Sequence, residues 1–512
     1  MTLLTSLINW LNLKRIYQIE LIKKHPYEVQ EETFMKLISK AANTEWGLKY
    51  QYASITSVED FQQKVPFQTY EEVKHYITRL RKGENNLLWP GEVKWFAKSS
   101  GTTNDKSKYI PVSKDSLEEC HFRGGRDVLT FYLKNNPDSK IFSGKGLTLG
   151  GSHKIDNYNN QSYYGDLSAI LIENLPFWTE FIRTPSHDVA LLEKWEEKLE
   201  KITRETIHEN VTNIAGVPSW NLVMLKYILQ YTGKKNLLEI WPNLELFIHG
   251  GVSFIPYKEQ FKKIIPSENM HYLEAYNASE GFFAIQDDPD DEGMLLMLDY
   301  GIFYEFIPME DFLNNNFRAI TIDKVEKGVN YVLVISTNSG LWRYIIGDTV
   351  KFTSTYPHKI IISGRTKHFI NVFGEEVIID NAERALGIAC EKTGAQITDF
   401  TAAPVYMSDN RKGSHEWVIE FSIPPVDIDH FTTLMDNALM SLNSDYEAKR
   451  YLNITLDKPI INSVEQGTFY HWLQEKGKLG GQNKVPRLSN NRKYVEELLQ
   501  IDKKLKNMRK MH

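Results

Sequence analysis

The ten residues Ser99-Ser100-Gly101-Thr102-Thr103-Asn104-Asp105-Lys106-Ser107-Lys108, running straight into the apolar segment Tyr109 to Val112, constrain this chain more than any other stretch. Hydroxyls and small side chains packed this densely let backbone N–H and side-chain O–H groups converge on phosphate oxygens, while a lysine supplies charge. The stretch reads as a phosphate cradle, although by itself it also reads as an ordinary polar turn. It is not a Walker loop, because nowhere in the chain is Gly-Lys followed by Ser or Thr. Other short apolar runs, Gly146 to Leu149 and Leu244 to His249, also end in Gly, Ser or Asn. Strands feeding functional loops in a mixed α/β protein have this texture.

Around the cradle, the pattern predicts amphipathic helices up to about residue 85, clearest over Glu31 to Ala42 and Tyr70 to Leu80. Further helices are expected at Leu191 to Glu209 and at Ser219 to Tyr231, the latter with Ser219 as N-cap. Strands dominate from Leu295 to Phe352, and the run Ile360 to Ile379 pairs two strands around Gly364 and Gly374 before a helix near Asp380. Strand and helix patterns follow at Ala402 to Tyr406, Glu416 to Ile423, Asp429 to Leu442 and Asn453 to Pro459. At 512 residues and 42% hydrophobic content the chain exceeds what one core serves, and a boundary is placed near Thr366. This divides it into residues 1–366 and 367–512.

Composition narrows the partners. A net charge of -6 gives no overall basic surface for nucleic acid, and no run approaches the roughly 20 apolar residues that span a bilayer. Leu4, Ile8 and Leu11 share a helical face instead of forming a leader, and the basic tail Lys503 to Lys510 reads as a solvated helix. Cys120 and Cys390 are the only cysteines, too few for a disulfide framework, which fits a reducing, cytoplasmic setting.

Three further motifs accompany the cradle. Tyr276-Asn277-Ala278-Ser279-Glu280 puts an aromatic face, a hydroxyl and a carboxylate within five residues. The aromatic can stack on a purine and the carboxylate can hold a metal ion beside phosphates, or the segment is a turn cap. In Leu341-Trp342-Arg343-Tyr344-Ile345-Ile346-Gly347-Asp348 the acid after glycine, at a strand end, suits a ribose diol; a turn aspartate is the plain alternative. Ser363-Gly364-Arg365-Thr366-Lys367 offers another cation, and Gly480-Gly481-Gln482-Asn483-Lys484-Val485-Pro486-Arg487 sets Lys484 in a loop behind two glycines. Alone, Lys484 is a solvated surface charge.

In order and spacing these motifs, from about Phe96 to Arg487, resemble the auxin-responsive Gretchen Hagen family of acyl acid amido synthetases, within the luciferase-like adenylate-forming superfamily. The broader superfamily has Gly-x-Pro-Lys in the phosphate loop, whereas here Lys108 lies one position later with no proline before it, as in the amido synthetases. The segment Gly364 to Glu375 is closer to the broad superfamily, which points to a bacterial-type member. The resemblance implies a large N-terminal adenylation domain with sheets flanked by helices and a β-barrel-like subdomain, and a small mobile α+β C-terminal domain. It implies ATP and Mg2+, a carboxylic acid and an amino acid or other amine as partners, and amide formation through an acyl-adenylate. Ser99 to Thr103, with Lys108, would hold phosphates; Glu280 would hold Mg2+; Tyr276, Asn277, Ala278 and Ser279 would line the adenine and phosphate side. Gly250 and Gly251 would let the base approach, Asp348 and Arg365 would grip ribose, and Lys484 would neutralise charge during adenylation. Phe122, Arg123 and the helix from Ser219 would form the acyl pocket, with Tyr163, Tyr164, Phe177 and Trp178 as apolar lining or core. His249 is a candidate base for the amine or a strand-end packing residue. An acyl-CoA ligase and a non-catalytic nucleotide-binding scaffold are the alternatives.

Overall fold

The computed structural model describes residues 3–99, 108–151, 153–155, 162–192, 194–251, 254, 258–366, 369–375, 377–407, 412–450, 456–476 and 487–510. Its main layer is an eleven-stranded sheet. At one end Leu246–His249 runs parallel to both Val211–Gly216 and His271–Ala278, with Lys145–Thr148 and Arg183–Thr184 beyond. At the other end Gly281–Ile285, Met294–Leu296, His358–Arg365, Tyr344–Thr355, Asn330–Thr337 and Ile302–Pro308 are antiparallel. Where a barrel-like subdomain is expected, the described residues form this antiparallel half, continuous with the parallel one in a single open sheet. The two regimes meet on a single strand, His271–Ala278, which pairs parallel with Leu246–His249 and antiparallel with Gly281–Ile285.

The cradle belongs to a second sheet of four strands. Trp95–Ser99 and Lys108–Val112 form an antiparallel pair in which Ser99 faces Lys108, so the two strand ends that flank the cradle lie at the same end of the sheet. The C-terminal part has its own three strands, Gln396–Val405, Ser414–Ile423 and Ile460–Val464, packed with the helices Ile379–Thr393, Ile428–Leu442 and Lys493–Lys510. The strand expected at Asn453 to Pro459 lies later, at Ile460–Val464; residues 456–458 touch the neighbouring strand through an isolated bridge from Leu456 to Gly413 and hydrogen bonds from Asp457 and to Lys458. Asn453 itself lies outside the described residues.

Helices follow their expected stripes with sharper ends. Pro26–Ala41 starts earlier than expected, since Pro26 at its first turn needs no N–H partner. Tyr70–Arg81 opens on a capping box in which Thr69 and Glu72 satisfy each other's backbone donors. Ser219 is not an N-cap. The helix is Pro218–Thr232, capped at Val217, because Pro218 is preorganised for the first helical position and moves Ser219 inside.

Two large cores hold these layers. The first joins the N-terminal helices to the antiparallel strands through Phe34, Trp46, Phe61, Phe303 and Trp342. The second joins Leu147, Ile214 and Phe247 of the parallel half to Phe373, Trp417 and Phe431 of the C-terminal part, so it draws on both sides of Thr366. Among the described residues no helix is long and apolar enough to cross a membrane.

Candidate active site

The site is organised by the strand that joins the two halves of the sheet. Tyr276 lies on it, 4% exposed, with its ring centroid 4.8 Å from that of Phe283. Its hydroxyl donates to Oδ2 of Asp348 at 2.6 Å, across 72 residues of sequence. Asp348 is buried on Tyr344–Thr355, directly after Gly347, whose φ of +96° is costly for any residue but glycine. Glu280 is half-buried in the two-residue turn that closes His271–Ala278 onto Gly281–Ile285. The pairing of those strands shifts between Phe282 and Ala284, a bulge of the kind that re-aims side chains beside a site.

Tyr344, the first residue of the strand that carries Asp348, lies within electrostatic reach of Glu280. Burial first, and then the nearby Glu280 charge, push the Tyr344 phenol well above its ordinary range. Its hydroxyl is buried with no hydrogen-bond partner among the described residues. The cradle connects to the same point. The Tyr109 N–H, next to Lys108, donates to the Tyr70 hydroxyl at 3.0 Å, and Tyr70 in turn bears on Tyr344. Gln68 bridges Tyr344, accepting from the Ile345 N–H at 2.8 Å.

On the parallel side, a Cβ at Gly250 would lie 2.2 Å from the Ala275 carbonyl oxygen and 3.4 Å from Asn277 Oδ1. Only glycine lets the two strand ends approach this closely. Gly251 has φ +80° and lies beside Val217, the residue preceding the helix Pro218–Thr232. Asn277 is exposed, while Ala278 and Ser279 are half-buried at the hairpin end. Asp348 pairs with Arg365 across the antiparallel strands.

The structure redirects several expected residues. Tyr276 does not offer an open face to a purine: its ring is in the core and its hydroxyl holds Asp348. Arg123 donates to the Asp299 carbonyl at 2.8 Å and lies 3.5 Å from the Asp299 carboxylate, beside the Arg15–Asp127–Asp299 network. It is thus the internal salt-bridge partner, not a free cation for substrate. Phe122 is half-buried against the first core. Tyr163 and Tyr164 pack on Trp95 and Tyr109, whereas Phe177 and Trp178 are 81% and 60% exposed and so neither line a pocket nor fill a core.

His249 is 5% exposed and stacks on Phe254 at 4.2 Å. Burial, with Lys258 adding, pushes its pKa down to about 3, which leaves a neutral imidazole too weakly basic to take an ammonium proton. Its burial and ring stacking are those of a strand-end packing residue. Ser100, Gly101, Thr102, Thr103 and Lys484 lie outside the described residues, and for Ser99, Ser219 and Arg365 only the backbone is described. The far flank of the Lys484 loop is anchored: Arg487 pairs with Asp399 and its carbonyl accepts from the Ala402 N–H at 2.9 Å. A polar cavity of about 290 Å3 lined by Lys145, Glu180, Arg183 and Glu209 lies where parallel strands begin, away from these motifs, and its Lys145 is already paired with Glu209 at 2.8 Å.

Gln68, Tyr70 and the position of Tyr344 near Glu280 escaped the sequence reading. Their only sequence signal is a capped helix start and a tyrosine after arginine, neither of which identifies a partner far along the chain.

An acidic turn and a Gly-Asp strand, held together by Tyr276 in the sheet beside the hairpin that flanks the cradle, are the arrangement expected of an adenylate-forming enzyme. The chain belongs to the GH3 family: the family's N-terminal domain matches residues 15–270, its central domain 295–365 and its C-terminal domain 380–493. It is accordingly an ATP-dependent ligase that forms amide bonds through an acyl-adenylate. Among relatives, indole-3-acetic acid-amido synthetase GH3.4 of Arabidopsis thaliana is 22% identical, over 93% of this chain and 91% of that protein. Jasmonoyl-L-amino acid synthetase GH3.5 of Oryza sativa subsp. japonica is 23% identical, over 93% and 94%. The solved structure of AtGH3.15 acyl acid amido synthetase in complex with 2,4-DB superposes with a TM-score of 0.62 at 17% identity, covering 95% of each chain. A 2-hydroxyisobutyryl-CoA ligase with 2-HIB-AMP and CoA shares the fold at a TM-score of 0.57 and 12% identity, covering 92% of this chain and 91% of that one.

Proposed function

We propose that this chain activates a small-molecule carboxylic acid with ATP and Mg2+ and transfers the acyl group to the amine of an amino acid. In the first half-reaction a carboxylate oxygen attacks the α-phosphorus, and the bond to pyrophosphate breaks. In the second the amine attacks the acyl carbon, AMP leaves with the bonding electrons, and the amine gives up a proton. Positioning and charge stabilisation carry most of such phosphoryl chemistry.

The observation that carries the reading is the buried Tyr276–Asp348 hydrogen bond on the strand whose closing turn carries Glu280. Asp348, oriented by Tyr276, would accept the ribose hydroxyls. Glu280 fits Mg2+, because this hard cation is commonly bound by one or two carboxylates together with substrate phosphates. When bound, the ion would offset phosphate charge beside the hairpin. Residues 99–103 with Lys108 would cradle the phosphates, and the Gly250–Gly251 backbone would admit the base. Lys484, carried by residues 367–512 as a mobile domain, would reach the site for adenylation and withdraw for the amine. The half-buried Phe122 and the start of the helix Pro218–Thr232 remain the acyl-pocket candidates.

ATP–pyrophosphate exchange over a panel of carboxylic acids tests the first half-reaction, and amino-acid-dependent AMP release tests the second. Exchange with at least one acid and release that needs an amino acid are expected. Release that needs coenzyme A instead would replace the amine by a thiol. Nucleotide binding without exchange for any acid would reduce the protein to a scaffold.

A further inference from the structure

Lys449 is a lysine in an unusual place. It lies on the helix Ser444–Arg450 of the C-terminal part, only 5% exposed, with its ammonium 3.5 Å from the ring centroid of Trp220. Trp220 belongs to the helix Pro218–Thr232 of the N-terminal part, adjacent to Ser219. The contact therefore crosses between the two portions of the chain. Buried lysines are rare unless something compensates their charge, and an aromatic face in a desolvated setting does so.

The surroundings on the C-terminal side are equally specific. A Cβ on Gly374 would meet Lys449 Cε and Nζ at 3.3 Å, and Gly374 has φ +85°, so space and backbone both favour glycine there. The next residue, Glu375, accepts from the Val372 and Phe373 N–H groups at 3.3 and 2.6 Å and pairs with His415 Nε2 at 2.9 Å. Both Glu375 and His415 have fully buried side chains. The turn 371–375 is thus clamped from within by His415 and covered by Lys449. Against the cost of burial, Asp445 and Glu375 on the C-terminal side and then Asp166 on the N-terminal side add favourable charge to Lys449, and Asp166 does so for Lys198 as well. Lys198 donates to the carbonyls of Gly150 and Gly151 at 2.6 and 3.1 Å, at the end of the parallel strand Lys145–Thr148.

We infer that Lys449 is a positioning residue for the ligase reaction: seated on Trp220, it latches the 371–375 turn and the C-terminal part against the helix that opens the candidate acyl pocket. The latch favours one of the arrangements used by the two half-reactions, so losing it alters them unequally. A residue that only stabilised the fold would lower both alike. This rests on the proposed movement of residues 367–512 between the half-reactions, and the experiment separates the two ideas.

Pyrophosphate exchange and amide formation are measured for Lys449→Met, which keeps length and removes charge, and for Trp220→Leu, each checked for an unchanged thermal midpoint. The ratio of the two rates is expected to shift by about tenfold or more in both variants, the size of a desolvated cation–π contact. Trp220→Phe, which keeps a ring face, should shift it less, and the double variant Lys449→Met/Trp220→Leu should shift it no further than either single change. An unchanged ratio, or additive shifts, would overturn the latch. Lys484→Ala run alongside identifies the source of a failure: loss of exchange in Lys484→Ala with an unchanged ratio in Lys449→Met removes the latch alone, whereas normal exchange in Lys484→Ala removes the domain movement beneath it.

Discussion

The Tyr276 hydroxyl and the Asp348 carboxylate, 2.6 Å apart and buried, join two of the candidate motifs by a direct contact. A hydrogen bond to a charged acceptor contributes about 1.5–3 kcal/mol, and here part of it should be felt as ribose affinity through the orientation of the carboxylate. Asp348→Ala is expected to weaken ATP binding by about 1.5–3 kcal/mol, measured by calorimetry, with unchanged affinity removing Asp348 from the nucleotide site. Tyr276→Phe should reproduce part of that loss, and the double variant should cost no more than Asp348→Ala alone, since Tyr276 acts through the acid. Both residues were legible as members of short motifs. Their contact was not, because nothing local in Tyr-Asn-Ala-Ser-Glu or Gly-Asp encodes a partner 72 positions away. Arg123 shows the reverse failure: a cation near a helix start invites a substrate role, and only the tertiary position of Asp299 commits it to an internal bond.

The strand Tyr344–Thr355 depends on its first turn of chain. Arg343 precedes it with φ +44°, and its guanidinium forks onto Glu305 through Nε and Nη2 at 3.0 and 2.9 Å. Nη1 also caps the Gln62 and Val65 carbonyls, and the group stacks 3.9 Å above Phe67. Lysine keeps the charge but has no planar fork to make these bonds together. Arg343→Lys is therefore expected to destabilise the protein by about 1–3 kcal/mol, the cost of leaving buried acceptors without a donor, read as a lowered urea midpoint. A midpoint within error of the parent would show that the strand start is held by something else. Element periodicity was readable because it is local: the strand Lys108–Val112 and the helix Tyr70–Arg81 appear where alternation and capping put them. Ser219 was misread because proline chemistry at position 218 outranks a hydroxyl one residue later. The order of strands in the eleven-stranded sheet, with the site at its parallel-to-antiparallel junction, is a global outcome of packing that no window of sequence contains.

At the scale of the whole molecule, acid should act on both large cores at once. His121, in the π-helical segment Ser116–His121 whose Leu117 and Cys120 join the first core, and His249, stacked within the second, are buried and neutral, with pKa values pushed down to about 4 and about 3 chiefly by burial. Below the unfolded value of 6.5 the unfolded chain takes up these protons and the folded chain does not, so stability falls as pH drops from 6.5 toward 4. Each histidine accounts for up to about 1.4 kcal/mol per pH unit in that window. Glu375, held below its ordinary range by His415 against the cost of its burial, acts in the same direction at lower pH, because its stabilising charge is lost as pH falls through its folded value. Glu274 works the other way, its burial having raised its carboxyl. Urea midpoints between pH 7 and 4.5 should therefore fall steeply, and His121→Phe, which keeps an aromatic ring without a titrating nitrogen, should make that fall shallower. A pH dependence identical to the parent's would mean that His121 is not excluded from protonation in the folded chain, and that the acid sensitivity of the first core arises elsewhere.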